Sequence, residues 1–97
     1  MPAYVLFQGE VTNPERYEEY KLLAQKSIEA AGGRYLVRGG HAELFEGTLP
    51  SRTVVLEFAD VETARAWYHG EAYAQARALR EGAARPEHMF VIEGWGG

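Results

Sequence analysis

Arg52–Arg80 reads RTVVLEFADVETARAWYHGEAYAQARALR, an apolar run that passes directly into a helical one. Thr53-Val54-Val55-Leu56-Glu57-Phe58 is β-branched and apolar apart from one charge, the composition of a central strand. Asp60 stands where a helix N-cap belongs, with Val61, Ala64 and Tyr68 at helical spacing behind it. Gly70 breaks or kinks that helix, which resumes from Glu71 to Glu81 on a stripe of Ala72, Tyr73, Ala76 and Leu79. Burying Glu57 in such a strand is costly unless it has a partner. It is the most informative residue in the sequence.

Upstream, Ala3–Val11 alternates as a strand, Val5, Phe7 and Gly9 pointing one way and Tyr4, Leu6, Gln8 and Glu10 the other. Asn13 caps a helix that has Pro14 at its first position and runs to about Ala31. Tyr17, Tyr20, Ala24, Ile28 and Ala31 form its apolar stripe, and Gly32-Gly33 closes it. Arg34–Arg38 is the second strand. Gly39-Gly40 interrupts it, and His41–Glu46 is expected to resume extended structure before a hairpin loop at Gly47–Ser51. The third strand is Arg52–Ala59. Downstream of the second helix, Gly82–Pro86 reads as a turn and Glu87–Glu93 as the last strand. The terminal Gly94-Trp95-Gly96-Gly97 is expected to be loose, with Trp95 its anchor.

The order β-α-β-β-α-β is the split arrangement called ferredoxin-like, an α+β fold with both helices on one face of an antiparallel sheet. Its other face is left bare. Val55, Phe45 and parts of the outer strands would make that face a large apolar patch for a monomer. The expected remedy is a homodimer that packs sheet against sheet through the helix-free face.

The chain has 97 residues, room for one domain with one core. A net charge of −4 argues against a nucleic-acid surface. The absence of cysteine excludes disulfides and thiolate metal sites. No basic leader opens the sequence and no apolar run is long enough for a membrane span, so a soluble, cytoplasmic protein is expected.

The segments YVLFQGEVTNPERYEEY, RYLVRGGHAELFEG, VVLEFADVETARAWYHGEAYAQARALR and VIEGW resemble the bacterial family known as domain of unknown function 1330, of the dimeric α+β barrel superfamily. The resemblance covers nearly the whole chain. It implies a ferredoxin-like protomer and a barrel made by two sheets, and it implies no established reaction. More distant relatives in the superfamily include cofactor-free monooxygenases and small isomerases, whose residues match no motif here position by position.

Two sets of residues carry candidate chemistry. In the expected hairpin, Glu46 faces Arg52, Leu44 faces Val54 and His41 faces Glu57, with Arg38 near the same spot. Glu57, His41 and Arg38 would then bind a small acid or move a proton as catalytic candidates. The competing reading is a structural ion pair between Glu57 and Arg38. The second set is aromatic: Tyr20, Trp67, Tyr68 and Tyr73, with His69 beside the Gly70 break, as candidates for holding a flat ligand that enters there. The competing reading makes the tyrosines core residues with polar tips and His69 a plain surface histidine. His41, His69 and His88 fall on separate elements without metal-ligand spacing, so no metal is expected, and no motif calls for a cofactor. A small-molecule enzyme working by proton transfer or cofactor-free oxygenation, a non-catalytic binding module and a purely structural dimer all stay open.

Overall fold

Four strands and three helices alternate along the chain: β1 (Ala3–Val11), α1 (Pro14–Ala30), β2 (Arg34–Arg38), β3 (Arg52–Phe58), α2 (Val61–His69), α3 (Glu71–Arg80) and β4 (Ala84–Glu93). They come from a computed structural model that describes residues 1–96; Gly97, the end of the expected loose terminus, lies outside the described residues. The sheet is antiparallel in the order β2-β3-β1-β4, the ferredoxin-like arrangement.

Local chemistry explains most boundaries. The Asn13 side chain accepts from the Arg16 N–H and Pro14 follows as the first helical residue, so α1 starts there. At its other end Gly33 N–H bonds Ile28 O and Gly32 N–H bonds Glu29 O, with Gly32 at φ +77°. That paired closure is a Schellman motif, and it needs the left-handed residue that glycine supplies. Asp60 caps α2 by accepting from both the N–H and the hydroxyl of Thr63, and these bonds hold its carboxyl below the usual range. Gly70 is extended, at φ −74° and ψ 161°, so the expected break separates two helices.

Alternation in β1 and β3 sends Ala3, Val5, Phe7, Val54, Leu56 and Phe58 into the core beneath the helices. Tyr4, Leu6, Thr53, Val55 and Glu57 point to the face that carries no helix.

Several expectations are corrected. His41–Glu46 is not extended and pairs with nothing; residues 39–51 form one exposed loop, far longer than the expected five-residue turn. Phe45 therefore lies on that loop and not on the sheet. The register is set instead by Arg34↔Glu57 and Tyr35↔Leu56, then, after a one-residue bulge, by Val37↔Val55 and Arg38↔Val54. β4 begins at Ala84, so Pro86 belongs to an edge strand, where a second bulge opposite Gln8 and Gly9 accommodates its missing N–H. Trp67 is the buried residue of α2 beside Ala64, while Tyr68 is half-buried, and Ala72 of the expected α3 stripe is exposed. Trp95 is exposed and anchors nothing; Gly94 N–H, bonded to Pro2 O at 2.7 Å, ties this end down.

Candidate functional site

Trp67 is the centre of an aromatic layer between helices and sheet. Its ring lies 4.2 Å from Tyr73 and 5.1 Å from Phe58, centroid to centroid. Its indole N–H donates to Ser27 Oγ at 3.0 Å, and that hydroxyl donates to Ala24 O at 2.7 Å. α2 and α1 are thereby joined through one buried relay. Behind Trp67 the hydroxyls of Tyr20 and Tyr73 share a hydrogen bond of 2.8 Å. Burial, reinforced by Tyr73, pushes the Tyr20 phenol well above its usual value. Burial also raises Tyr73, against the pull of the nearby Arg80 cation. Both phenols are therefore neutral hydrogen-bonding groups at neutral pH and not proton acceptors.

Arg80 is 8% exposed and has no carboxylate partner among the described residues. Its Nη1 donates to Tyr73 Oη at 3.1 Å and lies 3.1 Å from Met89 Sδ, with the Phe7 ring 5.6 Å from Cζ. Sequence reasoning missed both Arg80 and Ser27. Arg80 stands seven residues after Tyr73, on the same helical stripe, and Ser27 lies one residue from Ile28 on the inner side of α1; each carried a periodicity signal that its polarity outweighed.

Of the hollows that Trp67 borders, two lie between helix and sheet. One is an interior void of about 20 Å³ between α1 and the sheet, bordered by Tyr17, Tyr20, Tyr35, Arg38 and Arg52. It holds about one water-sized body. The other is a cleft of about 210 Å³ between α2 and β4. Arg65, Trp67, Tyr68 and His69 form one wall and Met89 and Val91 the other, with Val5, Trp67 and Met89 shared with the void. An apolar cavity of roughly 150 Å³ already accepts benzene, so the cleft has room for a one-ring compound. The His69 ring stands perpendicular to Tyr68 at 5.2 Å, and Arg77 lies over the Tyr68 ring at 4.8 Å. The geometry thus offers a ring-sized, largely apolar slot with the His69 imidazole and the Arg65 guanidinium among its lining.

Of the expected ligand residues, Trp67, Tyr68 and His69 meet at this cleft, whereas Tyr20 and Tyr73 sit behind it as the phenol pair. The expected catalytic trio is not brought together. Glu57 does point to the helix-free face, its side chain 23% exposed, but its partner is Arg34, whose Nε donates to Oε1 at 2.7 Å. The bulge at Tyr35/Val37 turns Arg38 to the opposite face, where it bonds Gln25 Oε1 at 3.0 Å and covers the Tyr35 ring at 4.3 Å. His41 is on the exposed loop, nearest to Glu43 at 3.9 Å. His88 lies on β4, away from both other histidines in the fold order.

The family model described as "Domain of unknown function (DUF1330)" matches residues 2–95. A protein of unknown function from Rhodopseudomonas palustris superposes with a TM-score of 0.74 at 17% identity, covering 99% of this chain and 84% of that one. SnoaB, a cofactor-independent oxygenase from Streptomyces nogalater, gives 0.66 at 8% identity, over 99% and 95%. A conserved protein from Methanosarcina mazei gives 0.61 at 17%, over 98% and 94%. At these identities the likeness is one of fold. No curated protein matches the chain.

Proposed function

The chain belongs to the family described as Domain of unknown function (DUF1330), and from that premise we propose that it binds a small aromatic or carbonyl compound in the cleft between α2 and β4 and transforms it by proton transfer or cofactor-free oxygenation. The observation that carries this reading is the cleft itself: a ring-sized apolar space with the Trp67 and Tyr68 rings on one wall and the His69 imidazole at its edge. An imidazole can take a proton from a phenol or an activated C–H near neutral pH, and the resulting anion is the species that reacts with dioxygen directly. The likeness in fold to SnoaB is consistent with this and supplies no residue role.

The test is turnover of quinols and lactones without added metal or flavin, followed by oxygen uptake and product analysis. His69→Gln should lower kcat by about 10²-fold or more with substrate binding nearly unchanged. Saturable binding without turnover would instead favour a non-catalytic binding module. The largely apolar lining, with only His69 and Arg65 as ionisable groups among the described residues, suits that second reading. Neither binding nor turnover by any compound would remove both.

The same proposal includes a homodimer. Leu6, Val37, Val55, Phe90 and Ile92 lie on the helix-free face, with Phe90 46% and Ile92 53% exposed. A second copy packed sheet to sheet would cover them and close the barrel, and a stable interface of this kind buries at least about 1,200 Å² in total.

A further inference from the structure

The interior void beside α1 has a cationic rim on a chain whose net charge is −4. Arg52, the first residue of β3, turns its side chain toward the helices, with Cζ 5.3 Å from the Tyr17 ring centroid. It packs so closely beneath Gly39, itself at φ +67°, that a Cβ there would collide with the guanidinium. In this position Arg52 Nε is buried and has no hydrogen-bond partner among the described residues. A ring face attracts the charge but accepts nothing from an in-plane N–H, so the donor stays unsatisfied. Such a group costs stability unless something fills the place of its acceptor.

Arg38 borders the same void. Its one hydrogen bond is to a neutral amide, Gln25 Oε1, and neither Arg38 nor Arg52 has a carboxylate within ion-pairing distance among the described residues. Lys21, the third cation on the rim, is paired with Glu18 at 2.8 Å. Two guanidiniums without a carboxylate partner among the described residues therefore border one void, Arg52 lying over the Tyr17 ring and Arg38 over the Tyr35 ring. The void is about 20 Å³, the size of one oxygen-bearing group.

We propose that Arg52 and Arg38 form a recognition site for an organic carboxylate with a flat apolar body. One carboxylate oxygen would accept from Arg52 Nε in the void and the other from Arg38, while the body, too large for the void, lies outside it beside the half-buried Tyr35. A planar carboxylate suits two guanidinium forks, and local positive potential on an acidic protein draws an anion to this rim. The site is separated from the α2–β4 cleft by Val5, Trp67 and Met89, which border both cavities, so it does not depend on what the cleft does.

The experiment is calorimetric titration of the full chain with sodium benzoate and with benzamide, its neutral isostere. Benzoate should bind at least about tenfold more tightly than benzamide. Arg52→Gln and Arg38→Gln should each weaken benzoate by about tenfold while leaving benzamide unchanged. Arg38 is exposed, so its variant reports on binding even if Arg52→Gln unfolds the protein. Equal affinity for the two probes, no heat from benzoate up to about 10 mM, or full benzoate affinity in Arg38→Gln would overturn the site. Hydroquinone bound normally by Arg38→Gln would show that such a failure leaves the cleft reading standing.

Discussion

Tyr20 and Tyr73 hold their protons more firmly folded than unfolded, because burial disfavours the phenolate. The sign of the pH effect follows. With folded values raised above 10.0, the stabilisation is complete below that pH and is lost as pH rises through the folded values. Thermal melts from pH 9 to 11 should show a falling midpoint, and the Tyr20→Phe, Tyr73→Phe double variant should show a shallower fall; parallel curves would refute the assignment. Ser27 supports a second prediction. Ser27→Ala removes the acceptor of the buried Trp67 indole N–H, so it should cost about 1–3 kcal/mol by urea denaturation. At this scale the sequence was an uneven guide. Trp67, Tyr68 and His69 could be gathered from spacing around Gly70, but Glu57 was matched with the wrong cation. Strand alternation fixes which face Glu57 takes, whereas its partner depends on which segment pairs with β3: Arg34–Arg38 does and residues 39–51 are loop, so Arg34 and not His41 stands opposite Glu57.

β1, α1 and the α2–α3 break were legible because each boundary has a local chemical cause: Asn13-Pro14, Gly32-Gly33, Asp60 and Gly70. The β2–β3 connection was not legible. Leu44 and Phe45 gave residues 41–46 the composition of a strand, yet the β3 edge they were expected to pair with is occupied by Arg34–Arg38. β4 was cut short because Pro86 looks like a turn residue when the bulge opposite it is unseen. Close approach between elements gives a sharper test. A Cβ on Gly33 would lie 2.6 Å from Phe58 Cε1, and that ring is 1% exposed with nowhere to go. Gly33→Ala should therefore cost roughly 1–3 kcal/mol in urea, although nothing about its own φ forbids alanine. An unchanged midpoint would mean that the Phe58 ring and the Gly33 turn can move apart without loss.

The whole protomer is a slab, 36 × 35 × 17 Å, with helices on one side and bare sheet on the other. If a second copy covers that sheet, Val55→Lys at its middle should yield a folded monomer at micromolar concentration by sedimentation, whereas the parent sediments as a dimer. A monomeric parent would dispose of the barrel. The strand order carries a further consequence, for the time course of folding. β1 lies between β3 and β4, so the first strand of the sequence has no partner until residues 52–58 exist and is enclosed only when Ala84–Glu93 arrives. Such non-local pairing slows folding relative to helical domains of similar size. On a ribosome moving at about 5–20 residues per second, β1 would wait on the order of 4–18 s for β4, with one row of its backbone N–H and C=O groups open to any passing chaperone.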